Sequence, residues 1–138
     1  MELRDAVVTG QDRSRLDDMI MTMHTVGDPF RDHLRELADT LRRATVVAPE
    51  DLDADVVSMN STLRVVDAHS GRPQTLTLAY HGTSGVFDSR LSVLTPLGVR
   101  LLGARVGDVI DWPVPGDVRR VKVDRILYQP EAAGDFDL

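Results

Sequence analysis

Apolar residues recur every three or four positions as far as Leu41 and every second position after Asp55, so this chain must join a helical part to a sheet part. The first stripe is Leu16, Met19, Ile20 and Met23; the second is Phe30, Leu34, Leu37, Ala38 and Leu41. Each falls on one face of a helix. Thr9 or Asp12 stands where the first helix needs a cap, and Thr25-Val26-Gly27-Asp28-Pro29 is a tight turn between the two. So short a connection predicts helices packed antiparallel, a hairpin from about residue 9 to 46 whose arms of about 14 residues reach about 20 Å.

Pro49 to Asp55 is acidic and proline-bearing and reads as a linker. Beyond it, Thr62 to Asp67 and Gln74 to Tyr80 alternate around the turn 68–73, and Val109 to Trp112 and Val118 to Tyr128 alternate across 113–117. Between these pairs, Leu91 to Asp111 reads as strand, capped short helix, glycine stop, turn and strand. Thr95 is placed as N-cap, Pro96 at the first helical position where its missing N–H costs nothing, and Gly103 as the stop. The predicted fold class is α+β: an N-terminal antiparallel helical hairpin, a short coiled coil, over residues 1–48, then a mostly antiparallel sheet domain with one short helix over residues 49–138.

A chain of 138 residues with a net charge of −6 and no cysteine narrows the functional classes. Neither half is basic, which argues against direct neutralisation of nucleic-acid phosphates; the local exception is the strand segment Arg119, Arg120, Lys122 and Arg125. Thiolate metal sites and a cysteine nucleophile are excluded. The Met-Glu-Leu-Arg-Asp start lacks a signal-peptide pattern and no apolar run is long enough to span a bilayer, so a cytoplasmic protein without membrane attachment is expected. His24, His33, His69 and His81 show no metal-ligand spacing, and Ser61, Ser84, Ser89 and Ser92 sit in no nucleophile elbow. No metal, cofactor or small-molecule substrate is therefore expected. Among the aromatic residues, Tyr80, Phe87, Trp112 and Tyr128 are expected to fill the core of the sheet.

The runs Val56-Val57-Ser58-Met59-Asn60-Ser61, Leu91 to Asp111, and Tyr128-Gln129-Pro130-Glu131-Ala132-Ala133-Gly134-Asp135 closely resemble the Rnk family, regulators of nucleoside diphosphate kinase, within the wider Gre transcription-factor superfamily. The resemblance implies an FKBP-like C-terminal domain behind an N-terminal coiled coil, and RNA polymerase as partner at the rim of the secondary channel, with DNA reached only through the polymerase. Docking is carried over to Ser92, Thr95, Pro96 and Leu97, which match a Ser-x-x-Ser-Pro-Leu-type motif with threonine in place of the second serine.

Gre factors stimulate transcript cleavage with an acidic pair, Asp and Glu three residues apart, at the hairpin tip, where hard oxygen ligands help hold a magnesium ion. Here the tip offers Asp28 and Asp32, four residues apart. Each also has a local role: Asp28 precedes Pro29 as an N-cap, and Asp32 lies in a first helical turn where the dipole favours a carboxylate. The hairpin is also shorter than those of cleavage factors. Together these features favour a non-enzymatic regulator that occupies the channel entrance and modulates elongation or the access of other Gre-type factors. The competing readings are a transcript-cleavage factor using Asp28 and Asp32, a generic protein-interaction module, and an effect on nucleoside diphosphate kinase; prolyl isomerase activity, which the FKBP-like fold raises, has too few aromatic residues to wall a pocket.

Overall fold

The computed structural model describes residues 6–26, 31–80 and 90–136. The order of elements is β1 (Val7–Thr9), α1 (Gly10–Val26), α2 (Arg31–Arg43), β2 (Thr45–Val47), a 3₁₀ turn (Pro49–Asp51), β3 (Thr62–Asp67), β4 (Pro73–Ala79), β5 (Arg90–Ser92), α3 (Pro96–Leu101), β6 (Val109–Val114), β7 (Asp117–Tyr128) and α4 (Pro130–Ala133). Five strands form one sheet in the order β5-β4-β3-β7-β6, antiparallel except for β4 against β5. The expected α+β class with a mostly antiparallel sheet holds.

A two-stranded parallel ladder was not foreseen: β1 pairs with β2, Val7 opposite Thr45 and Thr9 opposite Val47. It joins the residues just before α1 to those just after α2. Thr9 also caps α1, its Oγ1 accepting from the Asp12 N–H at 3.0 Å. Asp12 is thus not the cap. Leu16, Leu34, Leu37 and Leu41 are buried and Met19, Ile20 and Met23 pack against them, whereas Ala38, expected on the stripe, is exposed.

Both parts share one apolar core. The helix leucines join Leu63 and Val65 of β3, Leu76 and Leu78 of β4, Val121 and Val123 of β7, and Val99 and Leu101 of α3. The segment expected as a linker is tied down within this body. Leu52 is buried, Arg105 reaches Asp53 and Asp55 at 3.1 Å each, and Gln129 Nε2 donates to the Asp53 and Val56 carbonyls at 2.8 and 2.7 Å. Gln129 also caps α4, Oε1 accepting from Ala132 N–H.

The second strand pair extends further than expected, with Pro113 opposite Val118 and Val114 opposite Asp117, leaving only Pro115 and Gly116 in the turn. β6 is an edge strand, where a proline inside the ladder is tolerated, and Gly116 takes the positive φ of 77° that such a turn requires. Tyr80 and Trp112 pack against the core as expected, Phe87 lies outside the described residues, and Tyr128 departs from the expectation. The Tyr128 hydroxyl donates to Asp135 at the surface, at the end of β7 where Tyr128 pairs with Thr62 and the register against β3 shifts between Thr62 and Leu63.

Candidate functional site

Ser92, Thr95, Pro96 and Leu97 build the entry to α3. The Ser92 carbonyl accepts from Thr95 N–H at 3.2 Å and from Thr95 Oγ1 at 2.7 Å, Ser92 Oγ accepts from Leu94 N–H at 3.1 Å, and Thr95 Oγ1 accepts from Gly98 N–H at 3.0 Å. Both hydroxyls are engaged locally. What the turn offers outward is the half-buried Pro96 and Leu97. Leu97 lines a shallow cavity of about 440 Å³ with Val65, Trp112 and Val121, and Arg72 and Arg119 stand at its rim.

Arg119 lies over the Trp112 ring, 5.9 Å from its centroid, and reaches Asp67 at 3.0 Å. The backbone N–H of Ser70, then Arg119, then the N–H of His69 hold the Asp67 carboxyl well below the usual carboxylate range. Of the expected basic stripe, Arg119 is paired with Asp67 and Arg120 with Asp111, while Lys122 and Arg125 are exposed. Arg120 grips Asp111 across the β6–β7 ladder at 2.6 Å, and Arg64 of β3 meets Asp124 at 2.6 Å.

α3 is fixed to α2 as well as to the sheet. Arg100 reaches Glu36 of α2 at 3.0 Å and donates to the Pro96 carbonyl at 3.1 Å. The segment expected to dock is thus connected through one side chain to the helical pair. Of the two expected tip carboxylates, Asp32 is exposed in the first turn of α2, and Asp28 lies outside the described residues. Among the described residues no three histidines, cysteines or carboxylates gather to hold a metal ion.

Sequence reasoning missed a second polar cluster, at the base of α1. Asp12 is 4% exposed, and its Oδ2 accepts from the Met59 N–H at 3.0 Å. Ser58 Oγ donates to Glu131 Oε1 at 2.6 Å and lies 2.9 Å from Ser61 Oγ, which in turn accepts from Ser58 N–H. Burial pushes Asp12 up to about 6, assisted by the Glu131 charge and opposed by the Met59 N–H, Arg15 and the Tyr80 hydroxyl. The signal was available in the sequence: Asp12 stands one turn before Leu16, on the apolar stripe itself.

An α+β body with two N-terminal helices, a five-stranded sheet and a capped proline turn beside it matches the fold of transcription elongation factors of the GreA/GreB type. Residues 45–128 match the family described as "Transcription elongation factor, GreA/GreB, C-term", and the chain belongs to that family. It is 37% identical over 131 residues to the "Regulator of nucleoside diphosphate kinase" of Escherichia coli (strain K12), covering 94% of each chain. It is 28% identical to "Transcription elongation factor GreA" of Alkaliphilus oremlandii over 69% of this chain and 60% of that one. Among solved structures, the "Prokaryotic transcription elongation factor GreA/GreB from Nitrosomonas europaea" superposes with a TM-score of 0.74 at 35% identity, over 91% of this chain and all of that one. No described helix is long and apolar enough to cross a membrane.

Proposed function

We propose that this protein is a regulator that binds RNA polymerase at the rim of the secondary channel, with DNA affected only through the polymerase. Residues 49–138 form an FKBP-like docking domain, and α1 and α2, within residues 1–48, form an antiparallel hairpin that occupies the channel entrance. The observation that carries this reading is the family match over residues 45–128, which includes Ser92, Thr95, Pro96 and Leu97. The named elongation-factor relatives support polymerase as the partner.

The size of the helical pair favours occupation over catalysis. α1 has 17 residues and α2 has 13, so they extend about 26 and about 20 Å. Asp32 is exposed in the first turn of α2, so its removal tests function at the cost of only its helix-dipole contribution.

The test is transcript cleavage by arrested elongation complexes with purified polymerase, with a Gre factor present and absent. The expected result is inhibition of Gre-stimulated cleavage with no cleavage of the protein's own, and about tenfold weaker inhibition for Pro96→Ala and Leu97→Ala variants confirmed as folded. Stimulated cleavage that disappears in Asp32→Ala would instead establish a cleavage factor acting through Asp32. No effect on either reaction would return the protein to a generic interaction module or a direct regulator of nucleoside diphosphate kinase.

A further inference from the structure

The polar cluster under α1 takes no part in the proposed docking, yet it is a buried polar contact between the helical pair and the sheet body, with Thr9, Asp12, Ser58 and Ser61 all buried. Four segments meet there. Thr9 ends β1 and Asp12 lies in the first turn of α1, Ser58 to Ser61 form the turn entering β3, Tyr80 follows β4, and Glu131 comes from α4. The C-terminal segment closes the same corner, since Gln11 Nε2 donates to the Phe136 carbonyl at 2.9 Å.

We propose that Asp12 is a pH-responsive fastening of the helical pair to the body, holding most tightly when its carboxyl is protonated. Its bond to Met59 N–H survives protonation, because the neutral acid keeps a carbonyl oxygen to accept with. What changes is the charge. Ionised, Asp12 is a desolvated anion facing a second carboxylate, Glu131, with Arg15 as the cation on its own helix and the Tyr80 hydroxyl beside it; the Ser58–Ser61 turn contributes no ionisable side chain. Desolvation and Glu131 together outweigh the Met59 N–H and Arg15.

The direction follows from linkage. A carboxyl held above its ordinary value of 3.8, at about 6, gives stability that is complete below pH 3.8 and is lost as pH rises through 6. Opening that returns Asp12 to water should therefore grow about tenfold per pH unit between about pH 4 and 6 and level off above, about a hundredfold in all. Near neutral pH the base of α1 is then held less tightly than in acid, whatever partner the protein binds.

The experiment is amide hydrogen exchange of Met59, followed by NMR on the full chain from pH 4 to 7.5 and corrected for intrinsic exchange. The expected wild-type profile is the rise just described. Asp12→Asn, which keeps the accepting carbonyl without the charge, should flatten it, and Glu131→Gln should make it level off at lower pH. A flat wild-type profile, a wild-type rise that persists in Asp12→Asn, or a Glu131→Gln curve that levels off where wild type does would each overturn the proposal. Because the readout needs no polymerase, its failure is separate from failure of the transcription assay.

Discussion

Alanine at position 98 poses a conflict between local and tertiary physics that the structure resolves. Gly98 lies inside α3, where alanine is ordinarily favoured over glycine by roughly 1 kcal/mol. A Cβ there would sit 2.1 Å from the Ser92 carbonyl oxygen and 2.9 Å from both the Ser92 carbonyl carbon and Thr95 Oγ1. Relief requires backbone movement of more than an ångström, by the carbonyl that already accepts from Thr95 N–H and Oγ1. Overpacking of this kind costs about 1–3 kcal/mol, and two compromised hydrogen bonds add about 1 kcal/mol each. Against the propensity gain, Gly98→Ala should lose roughly 2–4 kcal/mol, a fall in melting temperature of about 6–15 °C. Thermal and urea unfolding followed by circular dichroism measure this directly. A variant as stable as wild type, or more stable, would show that the Ser92–Gly98 contact does not set the geometry of the turn entering α3.

Two further outcomes are expected. Leu37 is fully buried where α2 meets the shared core, so Leu37→Ala should cost about 2–5 kcal/mol in urea unfolding and do so in a single transition, since one core serves both parts. Asp67 is held below its ordinary range by the Ser70 and His69 N–H groups and Arg119, so its contribution is complete above about pH 4 and is lost as pH falls further; the stability difference between wild type and Asp67→Asn should shrink on acidification below that point.

The sequence made the helices, the strand pairs and the α3 turn legible because each rests on local chemistry: leucines at helical spacing, two-residue alternation, and a threonine, proline and glycine at cap, first-turn and stop positions. Contacts between distant segments were hidden. β1 and β2 are three residues each, too short to carry a period, and pair across almost the whole helical pair. The role of Gln129 in holding Asp53 and Val56 depends on a side chain far along the sequence from both. Residues 49–55 looked like a linker because acidic residues and proline are common in linkers, yet those same aspartates are fixed by Arg105. Asp12 was first read as a possible cap because α1 offers two oxygen side chains near its start; once Thr9 takes that position, Asp12 is left facing inward.

The β1–β2 ladder makes the length of the helical pair an independent variable. Its base is clamped in one register, so matched turns added beyond Met23 in α1 and before Leu34 in α2, at the end away from the ladder, leave the strands, the core leucines and the Glu36–Arg100 pair in place. Each added residue per helix would extend the pair by about 1.5 Å. Length can thus change at the far end of the pair while the body that holds it stays the same.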